Sequence, residues 1–197
     1  MKKVDVLGKA CPIPVIEAKK ALREDNEVEV LVDNEISVQN LEKMAKQLQY
    51  DYSHEKGEAG HYQVSIKKGE HAHGTSPAMQ GQVVSSDEYI VQIDSNKMGS
   101  GDEQLGKNLM KSFLYALSEQ DVLPTTILFY NSGAFLTTKD SDSLEDLKKM
   151  EEAGVVIATC GLCADYYDLT DEIAVGSVTN MYAIIETLRQ ANRIVKP

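Results

Sequence analysis

Three cysteines carry the obvious reactivity of this 197-residue chain: Cys11, Cys160 and Cys163. Cys11 stands in Asp5-Val6-Leu7-Gly8-Lys9-Ala10-Cys11-Pro12-Ile13-Pro14, and an apolar helical pattern begins immediately after it. Proline is favoured in the first turn of a helix, where its missing N–H would have had no partner. The Cys11 sulfur is therefore expected at or beside a helix N-terminus. Free N–H groups and the helix dipole there favour a thiolate, and they would favour a persulfide anion in the same way. Gly8 would let the loop pass close beneath the sulfur, and Lys9 would add positive charge. The plainer alternative is a small buried cysteine at a helix start.

Cys160-Gly161-Leu162-Cys163 lies at the carboxyl end of an apolar stretch, where open α/β sheets bind ligands. Its spacing permits a redox dithiol. It equally permits an acceptor that takes sulfane sulfur from a persulfide by thiolate attack. A helix start after Gly161 would lower the pKa of one of the two sulfurs. A zinc site needs four ligands, and the chain has no second cysteine pair. The remaining alternative is structural, a buried thiol at Cys160 and a packed helix residue at Cys163. Neither cysteine motif calls for a cofactor or a metal.

Two other features are weaker. Gly101-Asp102-Glu103-Gln104-Leu105-Gly106-Lys107-Asn108 approaches a phosphate loop, but Asn108 replaces the magnesium-binding hydroxyl. Asp102 and Glu103 also place negative charge where phosphates would sit. Ser100 and Glu103 are spaced as a capping box, so the segment reads as a helix cap. His71 and His73 raise a metal reading, but the polar, turn-rich run from 71 to 87 reads as a linker.

The elements that must hold these residues fall into two groups. Val4–Leu7 and Val28–Val32 read as strands, and Val15, Ile16, Ala18 and Leu22 mark a helix between them. Ile36, Leu41, Met44, Ala45 and Leu48 mark a second helix. Tyr50–Glu55 and Tyr62–Ile66 then alternate as strands about a turn from Gly57 to Gly60. This is a small two-layer α/β sandwich over residues 1–70. Over 88–197, strands at Tyr89–Ile93, Thr126–Tyr130 and Val155–Ala158 alternate with helices. One helix carries Leu105, Leu109, Phe113 and Leu117, one runs from 142 to 152 and ends at Gly154, and one carries Met181, Ile184, Ile185 and Leu188. Ile194-Val195 reads as a terminal strand. Such alternation predicts a Rossmann-like parallel sheet covered on both faces, an α/β/α domain.

Asp5-x-x-Gly8-x-x-Cys11-Pro12-x-Pro14, followed by Val15-Ile16-Glu17-Ala18-Lys19-Lys20-Ala21-Leu22, closely resembles the TusA/SirA family of sulfur carriers. The resemblance spans about the first 70 residues. It implies that Cys11 carries sulfur as a persulfide and delivers it to a partner. Ala10 stands where some members have arginine, which removes a charge from the docking region. Residues from about 88 to 197 resemble DsrE-type domains, which take part in sulfur relay and often form trimers or hexamers. Asn96-Lys97-Met98-Gly99-Ser100-Gly101, Tyr130-Asn131-Ser132-Gly133, Cys160-Gly161-Leu162-Cys163 and Val178-Thr179-Asn180-Met181-Tyr182 together resemble the two-domain YedF-like family, linked to selenium metabolism. The resulting reading is a sulfurtransferase or persulfide carrier in which Cys160 or Cys163 accepts the atom from Cys11; its rivals are a non-catalytic docking and oligomerisation role for the C-terminal domain, and a redox-sensing regulator that uses the Cys-x-x-Cys alone. Asn131, Ser132 and residues 94–99 would line that second site.

Composition bounds the partners. The net charge is −11, with 11 basic against 13 acidic residues in 1–70 and 9 against 18 in 71–197. That surface repels phosphate backbones, which argues against direct nucleic-acid binding, and it suits a basic protein partner. The expected partners are sulfur or selenium donor and acceptor proteins, together with further copies of the chain through the C-terminal domain. Met1-Lys2-Lys3-Val4-Asp5 leads into no apolar export segment, and no run reaches the ~18 apolar residues of a membrane span. A cytoplasmic, reducing location is expected, where three cysteines are not a disulfide framework.

Overall fold

The computed structural model describes residues 1–10, 12–57, 60–69 and 88–197, with the backbone alone at Gln47. Cys11, His71, His73 and the 71–87 linker therefore lie outside the described residues. The chain divides into two compact units, Met1–Val83 and Val84–Pro197.

In the first unit, β1 (Lys2–Asp5), α1 (Ile13–Glu24), β2 (Glu27–Val32), α2 (Glu35–Gln47), β3 (Asp51–Lys56) and β4 (Tyr62–Lys67) follow the expected order. The sheet order is β1-β2-β4-β3, with β1 parallel to β2 and the other pairs antiparallel. Val28, Val30 and Val32 of β2 are fully buried, as are Val64 and Ile66 of β4. Alternation along each strand sends these side chains to one face, where α1 and α2 cover them with Ala18, Leu22, Leu41 and Ala45. Each buried valine or isoleucine contributes about 1.5–3 kcal/mol of transfer free energy. The opposite face carries Glu27 and Glu29, so the unit has two layers. Ile36 departs from the expected helix face. It is exposed, and Val38 takes the core position.

The second unit holds β5 (Ile90–Ile93), α3 (Glu103–Ser118), β6 (Thr126–Phe129), a 3-10 helix (Asn131–Thr137) and α4 (Leu144–Glu152). After these come β7 (Val156–Cys160), α5 (Gly161–Tyr166), β8 (Ser177–Thr179), α6 (Met181–Gln190) and β9 (Ile194–Val195). The five strands are all parallel, in the order β8-β7-β6-β5-β9. Val91, Ile93, Ile127, Phe129 and Ile157 point to one face and meet α3 and α4. Ile90, Leu128, Ala158 and Cys160 point to the other and meet Ile184 of α6. This is the α/β/α arrangement expected from the sequence. The chain steps from β5 to β8 in one direction and returns to β9 on the far side. With crossovers of one hand, that reversal puts α6 on the face opposite α3 and α4.

Two details of α3 correct the sequence reading. Its N-cap is Asp102, whose Oδ1 accepts the Leu105 N–H at 2.8 Å, so Ser100 is not the cap. Its buried stripe is Gly106, Met110, Leu114 and Leu117, while Leu105 and Leu109 are exposed. Leu105, Leu109, Phe113 and Leu117 form one i, i+4 row, but the sheet meets the row one residue further round. At the end of α4, Gly154 has φ 97, the left-handed closure expected there.

Candidate functional site

Residues flanking Cys11 are set by β1, β2 and α1. Gly8 has φ 70, a conformation that a side chain would strain, and its N–H donates to Asp33 Oδ2 at 2.6 Å. The Asn34 side chain and then the Gly8 N–H hold the Asp33 carboxyl below its usual range. Asp33 thus ties the loop after β1 to the end of β2. Sequence reading missed it, since the contact joins residues 25 positions apart. Lys9 is exposed, and its N–H donates to the Val6 carbonyl at 3.2 Å. Pro12, the residue that Cys11 precedes in the chain, is the N-cap of α1, and Pro14 is buried in its first turn. No acidic side chain occupies that turn, and no side chain caps it.

In the second unit the carboxyl ends of β5, β6 and β7 converge. β7 ends at Cys160, fully buried between the sheet and α6, and Cys160 is also the N-cap of α5. Gly161 is required next: a Cβ there would sit 2.9 Å from Val178 Cγ1 and 3.2 Å from the Thr179 carbonyl. Three residues on along the helix lies Cys163, half-buried, on the same side as Cys160. The Cys160 thiol is close enough to bear on the ionisation of Cys163.

The turn after β6 meets this pair. Asn131 has φ 49, and its backbone N–H points at Cys163 Sγ, 3.0 Å away. Its side chain is held from the other side, where Tyr167 Oη donates to Asn131 Oδ1 at 2.9 Å. Gly133 allows the turn to press on β5, because a Cβ would fall 2.4 Å from the Ile93 carbonyl. Ser132 Oγ accepts the Asn96 N–H at 3.4 Å, joining the β5 loop to the same cluster. Below it, Thr137 and Thr159 hydroxyls meet at 3.0 Å in full burial, fixing the 3-10 helix to β7.

Burial pushes the Cys163 thiol above its ordinary range. The Asn131 N–H opposes this, while contact with Cys160 adds to it. The lowered pKa expected from a nearby helix start is therefore not what Cys163 has. The α5 start lies at Cys160, and desolvation outweighs the one N–H that Cys163 receives.

The structure thus brings Cys160, Cys163, Asn131 and Ser132 together, with Asn96 from the 94–99 segment. Asp94 turns instead to an ion pair with Lys196 at 2.5 Å. Asn180 serves locally, capping α6 by accepting the Ala183 N–H at 3.0 Å. Tyr167 was not foreseen, although its place one helical turn after Cys163 was a usable signal. Its ring packs on Phe135 at 5.0 Å between centroids. Phe135 also lines a pocket of about 260 Å³ with Asn96, Lys107 and Lys111. Among the described residues no group of three or more His, Cys, Asp or Glu could hold a metal ion, and no helix is long and apolar enough to cross a membrane.

Residues 2–68 match the family model described as Sulfurtransferase TusA, and residues 96–197 match the DsrE/DsrF-like family. A Methanocaldococcus jannaschii protein described as "Putative sulfur carrier protein" is 37% identical over 71 residues, covering 34% of this chain and 95% of that protein. A SirA-like protein from Desulfitobacterium hafniense is 49% identical in sequence, covering 36% of this chain and 100% of that one, with a TM-score of 0.34. The ychN protein from E. coli is 11% identical, covering 56% of this chain and 98% of that one, with a TM-score of 0.45.

Proposed function

Because the chain belongs to the DsrE/DsrF-like family over residues 96–197 and carries a TusA-type sulfurtransferase domain over 2–68, we propose that it is a two-domain sulfur carrier. Cys11 holds the sulfane atom as a persulfide and passes it to a partner protein or to the C-terminal Cys160–Cys163 pair. The carrying observation is that the motif around Cys11 falls within a stretch matched by a sulfurtransferase model. Pro12 at the N-cap and the absence of acidic residues from the first turn of α1 suit a sulfur anion beside that helix. Sulfur is preferred to selenium as the cargo, since the matching family description names sulfur.

Transfer is thiol–disulfide exchange. A cysteine thiolate attacks the outer sulfur of the Cys11 persulfide, the S–S bond breaks, and its electron pair returns to the Cys11 sulfur. The acceptor then carries the persulfide. Loading is tested by intact-mass analysis after treating the Cys160→Ser/Cys163→Ser chain with a small-molecule persulfide. A gain of about 32 Da, removed by reductant and lost on adding Cys11→Ser, is expected. Equal loading without Cys11 would reject the assignment.

The protein also self-associates through the second domain. The support is the exposure of large apolar side chains on three neighbouring segments: Leu162 and Tyr166 of α5, Val178 of the edge strand β8, Tyr182 and Ile185 of α6. Side chains of this size are seldom left in water together on a monomer.

A further inference from the structure

We propose that Cys160 and Cys163 form a resolving dithiol: Cys163 accepts the sulfane atom, and Cys160 then expels it as hydrosulfide. This rests on the reading that the second domain accepts sulfur, though not on Cys11 as the donor.

The two thiols are unequal in a way that assigns their order. Cys163 is half-buried and reachable from solvent, whereas Cys160 is fully buried and has Cys163 as its sulfur neighbour. An incoming persulfide can therefore be met by Cys163, and Cys160 can act only after it. The Asn131 N–H at 3.0 Å is already directed at the Cys163 sulfur and can hold negative charge there during attack. Asn131 keeps that direction through a left-handed backbone and the Tyr167 hydroxyl, so both are positioning residues. Burial, by holding the Cys163 thiol above the ordinary range, makes its thiolate a scarcer but intrinsically stronger nucleophile.

The first step attaches sulfur to Cys163 as a persulfide and frees the donor thiol. In the second, the Cys160 sulfur attacks the inner sulfur of Cys163. The bond from that sulfur to the outer atom breaks, and the outer atom leaves as hydrosulfide, taking the electron pair. The Cys160 proton is lost with it. One Cys160–Cys163 disulfide forms as one sulfane sulfur is reduced to sulfide, so electrons balance without another reactant. A cellular dithiol reductant returns the pair to its starting state.

The full chain carrying Cys11→Ser is treated with less than one equivalent of cysteine persulfide, and sulfide and protein mass are followed together. Stoichiometric sulfide, a loss of about 2 Da and a mapped 160–163 disulfide are expected. Replacing Cys160 with Ser, or with Ala should the hydroxyl disturb folding, should stop disulfide formation and leave about 32 Da on Cys163. Cys163→Ser should abolish both loading and release. Sulfide release unchanged in the Cys160 variants, or loading retained in Cys163→Ser, would overturn the proposal. If the dithiol behaves as expected but sulfur loaded on Cys11 never reaches it, only the proposed transfer from Cys11 fails.

Discussion

At the scale of single residues, Cys163 is governed by competition between burial and one N–H. Burial raises its pKa, contact with Cys160 reinforces that, and Asn131 only partly offsets it. A raised pKa means that the reactive thiolate is scarce at neutral pH and grows as pH rises. Alkylation of Cys163 in the Cys11→Ser chain should therefore reach half its limiting rate above the ordinary thiol value of ~8.5. A rate already level at pH 7 would show that the N–H outweighs desolvation. Cys11 and the Cys-x-x-Cys were visible in the sequence because their residue types are chemically specific. Asp33 and Tyr167 were not, since an aspartate after a strand and a tyrosine at a helix end each have many ordinary roles.

At the scale of elements, legibility followed how one-sided each burial pattern is. β2 alternates cleanly between buried valines and more accessible residues, and its position was read within one residue. β8 has three residues and no fully buried side chain, and it left no periodic signal. In α3 apolar residues surround much of the helix, so two rows compete for the core, and only the sheet's position selects between them. The structure selects Met110 and Leu114. Leu114→Ala should then cost about 2–5 kcal/mol, the range for truncating a buried leucine. Leu109→Ala should stay within about 0.5 kcal/mol, as for a surface change. Chemical denaturation of the full chain distinguishes the two, and a reversed order would put the helix on its other face.

At the scale of the whole molecule, a TusA-type sulfurtransferase domain is joined to a strongly acidic α/β/α domain. The exposed apolar side chains of α5, β8 and α6 are the basis for the proposed self-association of the second domain. Light scattering should report a mass above one chain, reduced by Tyr182→Glu with Ile185→Glu; a monomeric parent would remove the proposed assembly. The central claim is that both domains act on one sulfur atom, and it requires direct approach of one sulfur to another. The most direct measurement loads Cys11 with isotopically labelled sulfur, removes the donor, excludes reductant, and follows the label on the Cys11 peptide. The label should leave Cys11 in the wild-type chain and persist when Cys160 and Cys163 are both serine. Equal retention in the two proteins would contradict the relay and leave the second domain as a docking module for a carrier that acts alone.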